Sequence, residues 1–331
     1  MRTFCVFCRR SGYTIWCQSI ESVSLKNMST GSSKVSIYAA MAANVAIGIA
    51  KFVGAYFSGS SAMLSEGIHS VVDSVNEVLL LYGLKQSEAD PSEEYPLGRS
   101  QELYFWSLMV AVLIFSLGGG ISIFQGVRSL QAPESASDPL VSYGVLIAAA
   151  VFEGAALTVS IREFKKNQFD LNMGLWKAIG KSKDPSSFIV IVEDTAALMG
   201  LAIAFAGVWL SETTGNPLYD AIASISIGIL LTVVAAALVA KTKGLLVGQS
   251  ASVETRTSIK DIVRSDEAVS DSEPPITLHL GPQDVMLALN IEFRDELSAD
   301  EIEAAVRRIE KNIRTAHTEV KRIFIEAASV D

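Results

Sequence analysis

One apolar stretch of the chain carries ionisable residues at helical spacing. They recur at intervals of three, four and four positions: Glu66, His69, Asp73 and Glu77. At about 100° per residue these intervals place all four on one stripe of a helix, and aliphatic residues fill the opposite side. Ionisable groups inside a membrane helix are costly unless they face a water-filled path, a partner or an ion. The stripe therefore predicts a protein that handles a cation within the membrane.

Two further apolar stretches also carry acids, Glu153 in one and the pair Glu193-Asp194 in the other. Counted from the inner ends of the predicted helices, at about 1.5 Å per residue, these acids and Asp73 lie about 10–16 Å deep. Three helices thus converge on one layer near the middle of the bilayer. Glu193 and Asp194 point about 100° apart, so they cannot face His69 and Asp73 equally well. We favour Asp194 as the ligand, with Glu193 as a second ligand or relay.

The chemistry of these groups suits a divalent cation. One imidazole with two or three carboxylates fits tetrahedral Zn²⁺ and also accepts Mn²⁺, Fe²⁺ or Co²⁺. The competing structural interpretation of His69 is a buried imidazole that hydrogen-bonds a helix backbone or Ser70. The predicted metal ligands are His69, Asp73, Asp194 and Glu193, and the predicted proton relays or accessory groups are Glu66, Glu77 and Glu153.

Composition indicates a membrane protein. Of 331 residues, 50% are hydrophobic and 19% charged, and the apolar residues are concentrated before residue 241. Stretches of roughly 20 apolar residues predict six transmembrane helices, at about 35–58, 61–84, 103–126, 141–161, 187–210 and 217–240. Alternate links hold ten Lys and Arg against one in the others, which places both termini in the cytoplasm. The net charge of −9 argues against a nucleic-acid partner.

Three domains follow from this pattern: a disordered or mis-assigned extension at 1–30, a transport domain at 31–243 and a cytosolic domain at 251–331. In the last, a short helix at 254–265 precedes strands at 276–280 and 285–293, a helix at 299–316 and a strand at 320–327. Ser298 and Glu301 form a capping box for the second helix. This order predicts a small ferredoxin-like α+β domain, in which His279 and His317 are surface residues.

Several motifs resemble one family. His69-Ser70-Val71-Val72-Asp73, preceded by Gly59-Ser60-Ser61 and Ser65-Glu66-Gly67, resembles the second-span signature of the cation diffusion facilitators, a family of zinc transporters. Segments similar to its mitochondrial-type branch lie at 95–99, 102–106, 153–155, 193–197 and 215–220. The resemblance runs in order over residues 30–330.

The resemblance implies a homodimeric exporter of divalent metal, usually zinc, driven by proton exchange. It implies no enzyme and no resident cofactor, and it maps His69, Asp73 and Asp194 onto the family site. Two positions depart from the family pattern. Val190 stands where the fifth span usually carries a histidine, with Glu193 as the available substitute, and Glu77 stands in place of a glutamine.

Other functions remain open. The same family includes exporters of Mn²⁺, Fe²⁺ or Co²⁺, and a non-transporting membrane metal sensor or scaffold would use the C-terminal part instead. A cation channel could use the same acids. An intramembrane hydrolase built on Ser70 is disfavoured, because adjacent helical residues face different directions and no nucleophile elbow occurs. We expect a multi-pass protein of the plasma (inner) membrane, with an organelle membrane as the alternative.

Overall fold

The computed structural model describes residues 30–131, 139–168 and 174–328. Positions 1–29 of the extension expected at 1–30 lie outside the described residues. The chain divides into two compact units: a helical one that ends at Val247 and a smaller one that begins at Gly248.

The helical unit consists of long helices joined by short links. They are α1 (Thr30–Ser58), α2 (Ser61–Ser87), α3 (Glu102–Leu113), α4 (Gly120–Gln131), α5 (Pro139–Gln168), α6 (Leu175–Lys181), α7 (Pro185–Thr214) and α8 (Leu218–Val247). A π-helical segment, Ile114–Gly119, joins α3 to α4, so these two form one continuous rod. The sequence pattern had predicted neither this segment nor α6.

Four of the described helices are long and apolar enough to cross a bilayer: Glu102–Gln131, Leu140–Lys166, Pro185–Thr214 and Leu218–Val247. Each has at least 27 residues, where roughly 20 suffice. Within the part of α1 whose side chains the structure describes, Asn44–Ser58 is also an apolar helix. Helix α2 has 27 residues, but its ionisable stripe makes it less apolar than the four. The predicted helical membrane-type fold is thus confirmed.

The helix ends follow from local sequence. Asp184 caps α7 by accepting a hydrogen bond from the Ser186 amide at 3.1 Å, and Pro185 occupies the first helical position, where its missing N–H costs nothing. Gly215, with φ at 67°, ends α7 in the left-handed conformation that glycine adopts without strain.

The N-terminus of α2 is capped by another helix. Asp220, buried at the start of α8, accepts hydrogen bonds from the Ser61 amide at 2.6 Å and the Ser60 hydroxyl at 2.5 Å. The Ser61 hydroxyl donates to the same carboxylate at 2.8 Å. Amides left over at a helix start need partners, and the buried Asp220 carboxylate supplies one for Ser61. The Asp220 carboxylate therefore anchors α2 to α8.

The C-terminal unit is a small sheet flanked by two helices. Its elements are α9 (Val253–Arg264), β1 (Val269–Ser272), β2 (Ile276–Gly281), β3 (Asp284–Phe293), α10 (Ala299–Ala316) and β4 (Val320–Ala327). Strand β3 pairs antiparallel with β1 and β2 along one edge and parallel with β4 along the other. The capping box of Ser298 and Glu301 is present at the start of α10. The sequence predicted every one of these elements except β1.

This unit has its own core. The inward faces of α9 and α10 supply Ile259, Val263, Ile309 and Ile313, each fully buried against alternate residues of β3. Strand β3 is buried at every second position, as expected for a strand with one face on a core.

Candidate metal site

The ionisable stripe of α2 lies inside the helical unit. Glu66 and His69 are buried, and the side chain of Asp73 is 14% exposed. His69 Nδ1 lies 3.3 Å from Asp73 Oδ1, one helical turn away. This contact lacks the geometry of a hydrogen bond, and neither ring nitrogen of His69 has a hydrogen-bond partner in the part of the chain that the structure describes. The alternative in which Ser70 or a backbone carbonyl satisfies the imidazole is therefore not what the structure shows.

Unpartnered buried polar atoms continue along the same face of α2. Within the described ranges they include Glu66 Oε1, Asp73 Oδ1, Asn76 Oδ1 and Glu77 Oε2. A buried polar atom without a partner costs about 1–3 kcal/mol, so a run of them on one stripe is a costly arrangement. Such an arrangement is suited to receive a cation or a chain of water molecules.

Helix α7 brings one acid against this stripe. Glu193 is buried, and its Oε1 accepts a hydrogen bond from Asn76 Nδ2 at 2.6 Å. Its carboxyl group also contacts that of Asp73. Asp194 points elsewhere and accepts a hydrogen bond at 3.2 Å from Ser160 of α5. Glu193 therefore faces α2 and Asp194 faces α5, as expected from the angle of about 100° between adjacent residues of a helix.

A buried lysine on α1 is the functional group that sequence reasoning missed. Lys51 is fully buried; its ammonium donates to Ser70 Oγ at 2.8 Å and to Glu66 Oε2 at 3.2 Å. Glu153 Oε1 lies 3.7 Å from the same ammonium, so Lys51 contacts an acid of α2 and an acid of α5. The signal was available, because Lys51 interrupts an apolar run in the first predicted span.

The last acid of the stripe has a different partner. Glu77 is half-buried, and its Oε1 accepts a hydrogen bond from Asn44 Nδ2 of α1 at 2.9 Å. Helix α1 therefore lines the stripe at two levels, with an amide beside Glu77 and an ammonium beside Glu66.

A glycine makes room for the buried acid. A Cβ atom added at Gly200 of α7 would lie 2.4 Å from Glu66 Oε1. A side chain at this position would require the Glu66 carboxylate to shift, so glycine suits the close approach of α7, in keeping with the small residues that allow membrane helices to pack tightly.

As they stand, these groups do not form a complete ligand shell. Among the described residues, no three His, Cys, Asp or Glu side chains are arranged to hold one metal ion. The stripe instead offers neighbouring pairs: His69 with Asp73, and Asp73 with Glu193. Val190, one turn before Asp194, supplies no ligand.

The two C-terminal histidines were both predicted to be surface residues. For His279 this is wrong: it is buried in β2, and its Nδ1 lies 3.3 Å from the Gly281 carbonyl oxygen. Strand β2 turns that side chain inward, which hydrophobic pattern alone did not reveal. His317 is partly buried, with Nε2 2.9 Å from Ser258 Oγ and Nδ1 3.6 Å from Glu319 Oε1.

The chain resembles known transport proteins. The cation efflux transmembrane domain matches residues 37–247. The proton-coupled zinc antiporter SLC30A9, mitochondrial, of Xenopus laevis is 30% identical over 314 residues, which cover 83% of this chain and 56% of that protein. The human protein of the same name is 34% identical over 73% of this chain and 43% of its own length. Metal tolerance protein C4 of Arabidopsis thaliana is 34% identical over 84% of this chain and 59% of its own length. This chain therefore spans about half the length of these relatives.

Proposed function

The chain belongs to the cation efflux (cation diffusion facilitator) family, in its mitochondrial-type zinc-transporter branch. From this premise we propose that it exports a divalent metal, first of all Zn²⁺, in exchange for protons. The observation that carries the proposal is the run of buried, unpartnered polar atoms along α2, with His69 and Asp73 at its middle. Named relatives that are antiporters agree with the expectation that the chain is not an enzyme.

The proposed ligands are His69, Asp73, Glu193 and Asp194. His69 and Asp73 already lie side by side, and Glu193 adjoins Asp73. Asp194 would reach the same ion if α7 turned about its axis, because it follows Glu193 by about 100°. Such a turn would change which carboxylate faces α2. We propose that this change accompanies alternating access, in which the site opens first to one side of the membrane and then to the other.

Proton exchange follows from the chemistry of the ligands. Metal binding needs a neutral imidazole and ionised carboxylates, so loading the site displaces protons and protonating it releases metal. Carrying two positive charges outward against 100 mV, inside negative, costs about 4.6 kcal/mol, and one proton moving inward recovers about half of that. Glu66, Glu77 and Glu153 are the proposed relays or accessory groups.

The proposed membrane architecture has six spans: α1, α2, the α3–α4 rod, α5, α7 and α8. This membrane domain extends over 31–243, and both termini are cytoplasmic. A ferredoxin-like domain at 251–331 mediates homodimer formation. The parallel pairing of β3 and β4 around α10 supports the ferredoxin-like assignment. We propose the plasma (inner) membrane as the location. The word mitochondrial in the names of the relatives supports the organelle alternative, and fractionation of cells that express the full chain decides between the two.

Transport by the purified chain in proteoliposomes with a pH gradient tests the function. We expect His69→Ala and Asp73→Ala to abolish both zinc uptake and the accompanying proton flux, because each removes a ligand. Glu212→Gln is the matched control, an acid on α7 that is exposed and accepts a hydrogen bond from Tyr143. Unchanged transport in both ligand variants would reject His69 and Asp73 as the ligands. No transport by the unaltered chain would favour a sensor or scaffold, and electrical current without proton flux would indicate a channel.

A second candidate substrate follows from the donor set. Val190 leaves the site with one imidazole and several carboxylates, and oxygen-rich sites also accept Mn²⁺, Fe²⁺ and Co²⁺. An uptake series with these ions and Zn²⁺ in the same proteoliposomes ranks them. Faster transport of Mn²⁺ or Fe²⁺ than of Zn²⁺ would change the substrate and leave the exchange mechanism in place.

A further inference from the structure

Lys51 sits on α1 within a cluster of acids from two other helices. The ammonium group lies 3.2 Å from Glu66 Oε2 of α2 and 3.7 Å from Glu153 Oε1 of α5, and all three residues are buried. A buried charge is tolerated only when it is paired and hydrogen-bonded. These contacts therefore account for the presence of a lysine in an apolar helix, and they fix its position.

The position places this charge next to the proposed metal ligands. Lys51 donates a hydrogen bond to Ser70, the neighbour of His69 in sequence, and pairs with Glu66, one turn before His69. A charge in a protein interior acts over several ångströms with little screening. A divalent ion held by His69 and Asp73 would therefore experience repulsion from the Lys51 ammonium.

We propose that Lys51 is a tethered counter-cation that opposes the transported metal and thereby sets the metal affinity of the site. This inference rests on the proposed function. Lys51 balances the acids beside the site when no metal is bound, and it weakens the hold on the metal when one arrives. A transporter needs this balance, because an ion that binds too tightly does not leave. Lys51 is thus a positioning and affinity-setting residue, and it contributes no ligand.

The direct test is zinc binding by the purified full chain, measured by titration calorimetry. Lys51→Met keeps the length and the apolar stem but removes the charge, and we expect zinc to bind on the order of tenfold more tightly. In proteoliposomes the same variant should show a lower KM and a lower maximal rate, because release slows. Lys51→Arg keeps the charge and should bind zinc within about twofold of the unaltered chain.

Lys241 provides a matched control. It is a lysine of α8 whose ammonium contacts the Ile179 carbonyl and the Phe188 ring, away from the acids of α2. Lys241→Met should leave the zinc affinity unchanged. A tenfold change in this control would show that loss of any lysine alters binding, and it would overturn the inference.

A purely structural role of Lys51 predicts a different pattern. If the ammonium only joined α1, α2 and α5, Lys51→Met would lower the melting temperature and leave zinc binding equal or weaker. Glu66→Gln gives the opposite sign to our expectation for Lys51→Met: zinc should bind on the order of tenfold more weakly, because the ammonium then lacks one balancing acid.

The double variant Lys51→Met/Glu66→Gln removes one cation and one acid together. It should bind zinc within about twofold of the unaltered chain if the two act through charge. If Lys51→Met does not fold, the charge-balanced double variant and Glu66→Gln decide the matter. Weak binding by both would make Glu66 itself a ligand and overturn the role of Lys51. Failure of the unaltered chain to bind any of the four metals would instead overturn the proposed function.

Discussion

The two units of the chain differ in whether their buried charged groups have partners. In the helical unit, the acids and the imidazole of α2 are buried with several atoms unpartnered, in a row that faces α1 and α7. In the C-terminal unit, Asp266 receives two hydrogen bonds from Arg308, at 2.6 and 2.7 Å, and Asp284 pairs with Arg322. The unpartnered atoms of the described part of that unit, on Arg256, Ser272 and Asn290, are scattered over separate elements.

The difference separates polar groups that stabilise from polar groups kept for binding. The buried acids of the C-terminal unit, Asp266 and Asp284, are each paired with an arginine, and their loss costs folding energy. Several atoms of the α2 groups have no partner among the described residues, so their burial costs stability that the fold tolerates for another purpose. Substitutions should therefore reduce transport in one unit and stability in the other.

The largest expected effect concerns the two adjacent acids of α7. We expect Asp194→Ala to reduce zinc transport to the level of empty liposomes, and Glu193→Ala to lower it on the order of tenfold or to change the metal preference. Zinc uptake in proteoliposomes measures both. Because Glu193 and not Asp194 adjoins Asp73 in the structure, the reverse order of severity would make Glu193 the principal ligand.

The next effect tests the close approach of α7 to α2. Gly200→Ala places a Cβ atom against Glu66 Oε1, so we expect it to destabilise the helical unit by about 1–3 kcal/mol and to slow transport. Gly154→Ala is the matched control, since a Cβ added there in α5 meets nothing within 4 Å. Thermal unfolding in detergent compares the two. Equal melting temperatures would mean that Glu66 moves aside without cost.

A smaller effect concerns acid stability of the C-terminal unit. Hydrogen bonds from the Arg308 side chain, and one from the Ala268 amide, hold the pKa of Asp266 below its usual range. A carboxyl whose pKa is lower in the folded state adds stability at pH values above its unfolded pKa, near 3.9, and that stability disappears as pH falls through the folded pKa. We expect Asp266→Asn to cost about 1–2 kcal/mol at pH 7 and almost nothing at pH 2.

Urea unfolding of a fragment that spans residues 248–331, followed by circular dichroism at both pH values, measures this cost. Asp271→Asn is the control: Asp271 also pairs with an arginine, Arg264, but both side chains are about half exposed. A cost at pH 7 as small as that of the control would show that the Asp266 pair adds no more than a surface contact.

Hydropathy and capping signals in the sequence predicted most of the fold. The apolar lengths gave the long helices, and the Ser298–Glu301 box and the alternation around β3 gave the C-terminal elements. The short strand β1 and the seven-residue α6 were missed because neither is long enough to show a periodic pattern. The burial of His279 was missed because a sheet is closed by strands distant in sequence.

The sequence predicted only one half of the candidate site, the half that lies on α2. Spacing along α2 gave one face of the site, since a single helix fixes those angles. The side of α7 that turns toward α2 depends on packing between helices, which no local pattern encodes. Lys51 escaped notice because an isolated lysine in an apolar span shows no spacing, although its cost inside a membrane was sufficient reason to look for partners.

The carboxylate of Asp220 has a consequence for motion. It binds the first turn of α2 through hydroxyl and amide donors of Ser60 and Ser61, and all three residues are buried. That end of α2 therefore acts as a fulcrum fixed on α8. Any tilt of α2 about that end must swing its far end, so the displacement grows along the helix from Ser61 toward Ser87 and is larger at Glu77 than at Glu66.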